Sequence, residues 1–202
     1  MENIKKHKFD MEKKDKDKMY NQKSKVIWIT GLSASGKSTV GNELELLLVR
    51  KGYKTIILDG DNVRNGLNID LGFTEENRKE NIRRVSEVAK LFNEAGIIVI
   101  ATFISPARED RALAKKIIGE ENFVEVYLST DIAECIRRDP KDLYKKALKK
   151  EIKNFTGIDS PYEKPLSPNV NIDTKNTKQK EAAKKIYKNI KRGIKKWMIL
   201  KN

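Results

Sequence analysis

Cysteine and histidine occur only once each in this chain of 202 residues, as Cys135 and His7. A single cysteine excludes an intramolecular disulfide, and no residue near Cys135 has the spacing of a metal-ligand motif. With one histidine, the chain offers no Ser-His-Asp triad, no Cys-His pair and no multi-histidine zinc site. Several classes of hydrolase and zinc protein are therefore excluded.

Long apolar runs are also missing. No apolar stretch approaches the length that spans a bilayer, and residues 1–25 are charged throughout, without the apolar centre of a signal peptide. We therefore expect a soluble, cytoplasmic protein without a membrane partner.

Acidic residues are too few to balance the basic ones. The chain has 29 Asp and Glu against 43 Lys and Arg, which gives a net charge of +14. The resulting field attracts polyanions such as nucleotides or nucleic acid, but a lysine-rich solvated surface has the same composition. Charge alone does not choose between these interpretations. The hydrophobic content of 38% is enough for the core of one α/β domain with lids.

A phosphate-binding loop follows the first apolar run. The β-branched run 25–30 precedes it, and an amphipathic run begins at Val40, which is the strand–loop–helix setting that the motif requires. Gly31 and Gly36 let successive backbone N–H groups point at phosphate oxygens. Lys37 is predicted to reach the β- and γ-phosphates, and the hydroxyl of Ser38 to ligate Mg²⁺. The residues predicted to bind ATP in this loop are Gly31, Leu32, Ser33, Ala34, Ser35, Gly36, Lys37, Ser38 and Thr39.

The rest of the chain alternates between strand and helix patterns. Residues 1–24 form a charged arm that we expect to be mostly mobile or to dock only on a partner, and a kinase domain is predicted over 25–202. Strands are predicted at 25–30, 53–58, 97–104, 123–128 and 169–173, with helices from about 75 and over 178–200. We expect the long helix to start after the N-cap Thr74, and the last one to bury Ile186, Ile190, Ile194 and Trp197. This order predicts a three-layer α/β fold of the P-loop nucleoside-triphosphate-hydrolase type, with a parallel sheet and helices on both faces.

Carboxylates end the second predicted strand. Asp59 and Asp61 would lie at the same sheet edge as the phosphate loop, because ligands of parallel α/β sheets bind beyond the carboxyl ends of the strands. A carboxylate here can hold Mg²⁺ through water or accept the proton of an attacking hydroxyl. An Asp-Gly-Asp turn that only caps a strand is the alternative, and the position argues against it.

Arginines crowd the segment after this turn. Arg64, Arg78 and Asn81 suit an acceptor that is itself an anion, since guanidinium groups match phosphate or sulfate oxygens. For Arg83 and Arg84 an exposed basic helix is an equally good interpretation.

A lid is predicted over about 138–165. Arg138 and Lys141 supply cations, Phe155 can stack on a base, and Gly157 and Pro161 provide hinge positions.

Taken together, these motifs resemble those of adenylylsulfate kinases. The matching segments run in order from about Val26 to Pro165 and are 31–38, 58–64, 70–73, 76–84, 103–106, 138–141 and 155–163. Many kinases share the phosphate loop, whereas the Asp-Gly-Asp-Asn turn and the Phe-Thr-Gly-Ile-Asp-Ser-Pro-Tyr segment together are specific. The resemblance implies ATP-dependent phosphorylation of the 3′-hydroxyl of adenosine 5′-phosphosulfate in sulfate assimilation, with Mg²⁺ as cofactor.

The resemblance also assigns residues and partners. The motifs themselves predict that Lys37 and Asp61 are catalytic and that Asp59 or Asp61 holds Mg²⁺ through water with Ser38. To these the resemblance adds Ser105 as a catalytic position, and Arg138 is predicted to bind ATP. The residues implied to contact the acceptor are Asp61, Arg64, Phe73, Arg78, Asn81, Ile104, Ser105, Lys141 and Phe155, with Phe73 and Phe155 enclosing its adenine. The family labels the position of Ser105 as a phosphoserine; direct transfer from ATP needs no such intermediate, so Ser105 could instead hydrogen-bond the acceptor. A homodimer is implied, and a sulfate adenylyltransferase is a candidate partner.

One departure from the family pattern concerns the phosphate loop. Ala34 stands where the family usually has glycine, and we expect a negative φ and little effect. Two other functions are considered: another small-molecule or nucleotide P-loop kinase, and a nucleotide-gated nucleic-acid-binding protein. The second is disfavoured because the lysines lack interleaved aromatics, so we expect no nucleic-acid partner.

Overall fold

A five-stranded parallel sheet organises the molecule. The computed structural model describes residue 7 and residues 9–195. The strands are β1 (Val26–Thr30), β2 (Thr55–Asp59), β3 (Ile98–Thr102), β4 (Phe123–Leu128) and β5 (Val170–Ile172). Their order across the sheet is β2-β3-β1-β4-β5, and every neighbouring pair is parallel. The five predicted strands are confirmed, with ends that differ by at most two residues.

Helices connect the strands and cover both faces of the sheet. They are α1 (Lys13–Met19), α2 (Lys37–Arg50), α3 (Gly60–Arg64), α4 (Glu75–Glu94), α5 (Arg108–Ile118), α6 (Ile132–Arg138), α7 (Leu143–Leu148) and α8 (Gln179–Ile190), with a short 3₁₀ turn at Glu120–Asn122. As predicted, Thr74 caps α4: its hydroxyl accepts a hydrogen bond from the backbone N–H of Asn77.

The central strand separates two apolar cores. Successive side chains of a strand point to opposite faces, so in β1 Ile27 and Ile29 pack toward α2 and α8, whereas Val26 and Trp28 pack toward α4 and α5. All five residues of β1 are buried. The predicted α/β P-loop fold with helices on both faces is confirmed.

The expectation that the ordered fold begins at Lys25 is wrong for residues 13–24. Helix α1 and the turn after it contribute buried polar side chains: the Asp17 carboxylate of α1 accepts hydrogen bonds from the backbone and hydroxyl of Ser24, and the Gln22 amide donates to Gly96 O over 2.7 Å. Hydrogen bonds from buried polar groups, and not an apolar stripe, fix this segment to the domain. The apolar pattern of the sequence therefore gave no signal for it.

The last helix is shorter than predicted. Helix α8 ends at Ile190, and residues 191–194 form turns. Ile186, Ile190 and Ile194 are buried as predicted, whereas Trp197 lies outside the described residues. None of the helices within residues 9–195 is long and apolar enough to cross a membrane.

Candidate active site

The phosphate loop joins the carboxyl end of β1 to the first turn of α2. Gly36 precedes α2 with a φ of 91°, a left-handed conformation that favours glycine. Gly31 is required for space, since a Cβ there would lie 2.8 Å from the carbonyl oxygen of Leu128. The ammonium of Lys37 donates to the carbonyls of Gly31 and Leu32 over 2.9 and 2.7 Å. Burial lowers the pKa of Lys37 to about 8.

The expected negative φ of Ala34 is wrong. Its φ is 59°, in the left-handed region, where a Cβ costs roughly 1–2 kcal/mol. The loop therefore demands at this position the backbone geometry for which glycine is suited, and Ala34 adopts it under strain. Its carbonyl accepts a hydrogen bond from Arg138 over 3.4 Å.

Asp59 is the hub of a hydroxyl cluster beside the loop. Its Oδ2 accepts hydrogen bonds from Ser38 over 2.6 Å and from Thr102 over 2.7 Å, and its Oδ1 accepts from the backbone of Asp61. Burial alone would raise the pKa of this carboxyl, but these hydrogen bonds outweigh burial and hold the pKa below its ordinary value. Asp59 is thus held as a carboxylate next to the predicted metal ligand Ser38.

This donor set fits Mg²⁺. Mg²⁺ is usually held by one or two protein oxygens together with substrate phosphates, and Ser38 with Asp59 supplies such a pair. Within residues 9–195 no group of three or more His, Cys, Asp or Glu side chains could hold a metal ion.

Asp61 lies on the first turn of α3 and forms an ion pair with Lys141, which is in the segment predicted to be a lid. Both side chains are more than half exposed, so the pair stabilises the fold little. It does, however, place the lid cation next to the carboxylate at the mouth of the site. The structure thus brings together two residues, 80 positions apart, that the sequence assigned to the same site.

Ser105 is buried three residues beyond the carboxyl end of β3, with 2% of its surface exposed. Its hydroxyl accepts a hydrogen bond from the indole of Trp28 and donates one to Thr30, each over 3.1 Å. Thr30 in turn donates to the carbonyl of Ile104 over 2.6 Å. The Ser105 hydroxyl therefore belongs to a packed network beneath the site.

Arg78 joins the two segments that carry the predicted aromatic residues. Its guanidinium donates to the carbonyl of Phe73 over 3.0 Å, to the hydroxyl of Thr156 over 2.6 Å and to the carbonyl of Asn154. Phe155 therefore lies between two contacts of the same arginine. Arg78 acts as a brace between these loops, which sequence reasoning did not anticipate.

Arg64 and Phe73 form the exposed side of this region. The Arg64 guanidinium stacks on the Phe73 ring at 4.5 Å and donates to the carbonyls of Leu71 and Gly72. Phe73 is 62% exposed. Asn81 lies deeper: it is buried, and its side-chain oxygen accepts a hydrogen bond from Asn68 over 2.9 Å. Their contacts with an acceptor stay predictions.

Arg83 and Arg84 form surface ion pairs. Both donate to Glu80, and Arg84 also forms a two-pronged pair with Asp70. These hydrogen bonds lower the pKa of Glu80 to about 2. Of the two interpretations of these arginines, the exposed basic helix is the one that the structure bears out.

Arg138 connects the lid to the phosphate loop. It donates to the hydroxyl and the carbonyl of Thr174, each over 2.8 Å, and Thr174 donates to the carbonyl of Ser35 over 2.8 Å. Thr130 shares a hydrogen bond with Thr174. Arg138 is thus next to the loop, and its contact with ATP stays a prediction.

Sequence reasoning missed the threonines of the site. The residues concerned are Thr30, Thr102, Thr130 and Thr174, which stand at or just beyond the carboxyl ends of β1, β3, β4 and β5. A polar residue that ends an apolar parallel strand is a usable signal, because ligands bind at that sheet edge.

Comparison with known proteins gives consistent results. The family model described as Adenylylsulphate kinase matches residues 23–173. An adenylyl-sulfate kinase of Clostridium acetobutylicum is 59% identical over 171 residues, which cover 84% of this chain and 85% of that protein. The bifunctional enzyme NodQ of Rhizobium tropici is 55% identical over 165 residues, which cover 82% of this chain and 26% of that protein. Among solved structures, the Mycobacterium tuberculosis APS kinase CysC in complex with AMPPNP and APS is 44% identical with a TM-score of 0.81, and the match covers 84% of this chain and 98% of that one.

Proposed function

The chain belongs to the adenylylsulphate kinase family, and from that premise we propose how its residues divide the work of phosphoryl transfer. Its reaction transfers the γ-phosphate of ATP to the 3′-hydroxyl of adenosine 5′-phosphosulfate and releases ADP. The observation that carries the assignment of roles is the convergence of Lys37, Asp59, Asp61 and Lys141 at one sheet edge.

The donor side of the site consists of the phosphate loop with Lys37, Ser38 and Arg138. The loop N–H groups and Lys37 bind the β- and γ-phosphates and stabilise the charge that develops on the transferred group. Hydrogen bonds to Thr174 hold Arg138 beside the loop, where it would flank the nucleotide. Ser38 and Asp59 would hold Mg²⁺, which neutralises phosphate charge when bound.

The two aspartates have different tasks. Asp59 accepts two hydroxyl hydrogen bonds and its pKa is low, so it is a weak base and is suited to the metal. Asp61 is exposed at the mouth of the site beside Lys141. We assign to Asp61 the contact with the 3′-hydroxyl, whose proton it accepts or orients during in-line transfer.

The acceptor side consists of the segments that Arg78 braces. Phe73 and Phe155 enclose the adenine, and Arg64 and Arg78 face the phosphosulfate. A guanidinium has five N–H donors, and Arg78 uses three of them on Phe73, Thr156 and Asn154. The others remain for an anion. Lys141 and the Ile104–Ser105 backbone complete this side.

Assembly and location are further parts of the proposal. The family likeness supports a homodimer and a cytoplasmic location. A sulfate adenylyltransferase is the proposed partner, because the acceptor must be made by an enzyme that joins sulfate to an adenylyl group. The match to only 26% of the bifunctional NodQ is consistent with a second activity joined to this one.

An ADP-release assay with four acceptors tests the assignment. Adenosine 5′-phosphosulfate should be strongly preferred over adenosine monophosphate, shikimate and gluconate. Lys37→Ala gives the background, since loss of this electrostatic contact should lower kcat roughly 10³-fold or more. A preference for any of the other three acceptors would contradict the proposal.

A further inference from the structure

Tyr144 lies between the phosphate loop and the aromatic ring assigned to the acceptor. It is fully buried. Its hydroxyl donates to the backbone carbonyl of Ser33 over 3.1 Å, inside the phosphate loop. Its ring meets Phe155 edge to face, with centroids 5.0 Å apart and an angle of 79°. One side chain therefore contacts both halves of the site.

The backbone of Tyr144 is held by a residue just before its helix. The Asp139 carboxylate accepts hydrogen bonds from the backbone N–H groups of Tyr144 and Lys145, over 3.1 and 3.0 Å, and so closes the first turn of α7. Burial raises the pKa of the Tyr144 phenol, so its hydroxyl remains protonated and able to donate. Both the backbone and the hydroxyl of Tyr144 are therefore held by hydrogen bonds.

We propose that Tyr144 is a positioning residue with two separable tasks: its hydroxyl holds the phosphate loop for ATP, and its ring holds Phe155 for the adenine of the acceptor. The proposal rests on the proposed function, because it needs Phe155 to contact the acceptor. A tyrosine that only fills the core would stabilise the fold without changing the KM for either substrate. The hydroxyl task predicts a change in the KM for ATP, whereas the ring task predicts a change in the acceptor KM.

Two substitutions separate the tasks. Tyr144→Phe removes the hydroxyl and keeps the ring, so the KM for ATP should rise, roughly five-fold for one neutral hydrogen bond, while the acceptor KM stays within two-fold. Tyr144→Leu removes the ring as well and should raise both KM values. Tyr187→Phe is the matched control: it contacts Lys51 at the far end of α2, about 20 Å along the helix from the loop, and should change neither.

A double-mutant cycle with Phe155→Ala tests the acceptor arm. If Tyr144 acts through Phe155, the rise in acceptor KM caused by Tyr144→Leu should disappear when Phe155 is already alanine. Phe155→Ala alone tests the proposed function: if it leaves the acceptor KM unchanged, the assignment of Phe155 fails, whereas the effect of Tyr144→Phe on the KM for ATP does not depend on that assignment.

If Tyr144→Leu does not fold, Tyr144→Phe still tests whether the hydroxyl holds the phosphate loop. A lowered Tm with both KM values unchanged in Tyr144→Phe, or additive effects in the cycle, would overturn the proposal.

Discussion

The indole nitrogen of Trp28 donates a hydrogen bond to the hydroxyl of Ser105 over 3.1 Å, and this hydroxyl donates onward to Thr30. Both oxygens of the Ser105–Thr30 pair are inside the domain, and Ser105 is 2% exposed. A phosphoryl group on Ser105 would have to displace the indole and enter a packed network. This relationship favours direct transfer from ATP to the acceptor.

We therefore predict that Ser105 is not phosphorylated during turnover. Quenching the reaction with labelled ATP in the first turnover, followed by mass spectrometry of the Ser105 peptide, should show no phosphate. Ser105→Ala should mainly raise the acceptor KM, because it loosens the backbone next to Ile104, and should change kcat less. A phosphorylated Ser105 that forms and decays at the rate of turnover would contradict direct transfer.

ATP binding should take up a proton above pH 8. The pKa of Lys37 is about 8, so the free side chain becomes neutral as the pH rises through 8, whereas phosphate favours its charged form and raises its pKa. The affinity for ATP should therefore fall with increasing pH above 8.

Calorimetry in two buffers of different ionisation enthalpy measures this uptake. The apparent binding enthalpies in the two buffers should differ at pH 8.5, and the difference should be much smaller at pH 7.5. Lys37→Arg is the control, since an arginine stays charged throughout and its uptake should vanish. Equal enthalpies at pH 8.5 in the wild type would show that Lys37 is charged before ATP binds.

Replacing the exposed carboxylate of Asp61 should slow the chemical step. Asp61→Asn keeps the shape of the side chain but cannot accept a proton, so kcat should fall at least ~10²-fold at saturating substrates, as for loss of a general base. Asp70→Asn is the matched control, because Asp70 forms a surface ion pair with Arg84 of α4. An unchanged kcat in Asp61→Asn would remove Asp61 from the mechanism.

Ala34 stores strain that glycine should relieve. At a φ of 59° a Cβ costs roughly 1–2 kcal/mol, and the extra unfolded-state freedom of glycine takes back about 0.4–1 kcal/mol. Ala34→Gly should therefore raise the free energy of unfolding by ~0.5–1 kcal/mol in urea titrations. Ala112→Gly, on the exposed side of α5, should lower it by about 1 kcal/mol. A loss of stability in both variants would refute the strain.

The sequence was a good guide where the apolar pattern and the chain order decide the outcome. Strands buried on both faces read as apolar runs, and because the sheet is parallel, the loops after β1, β2 and β3 meet at one edge. That is why Lys37, Asp59 and Asp61 could be assigned to one site before any contact was known.

Contacts that depend on backbone carbonyls and buried polar groups could not be predicted. The contact of Arg78 with an anion stays a prediction, but its hydrogen bonds to the carbonyls of Phe73 and Asn154 and to the hydroxyl of Thr156 were not predicted, because no residue pattern specifies the directions of backbone carbonyls. Likewise, Gln22 fixes the N-terminal segment by hydrogen bonds to Gly96 and Lys54, and a lone glutamine carries no such signal. The positive φ of Ala34 follows from the geometry of the phosphate loop and is not a conformation that alanine itself prefers.

The most direct test of the account is the reaction with adenosine 5′-phosphosulfate and with its 3′-deoxy analogue, which keeps the adenine and the phosphosulfate but lacks the accepting oxygen. The account predicts ADP release and a 3′-phosphorylated product from the first compound. The analogue should bind with similar affinity and release no ADP above the rate of Lys37→Ala. ADP release that proceeds equally well with the analogue would show that the phosphoryl group goes elsewhere and would contradict the proposed reaction.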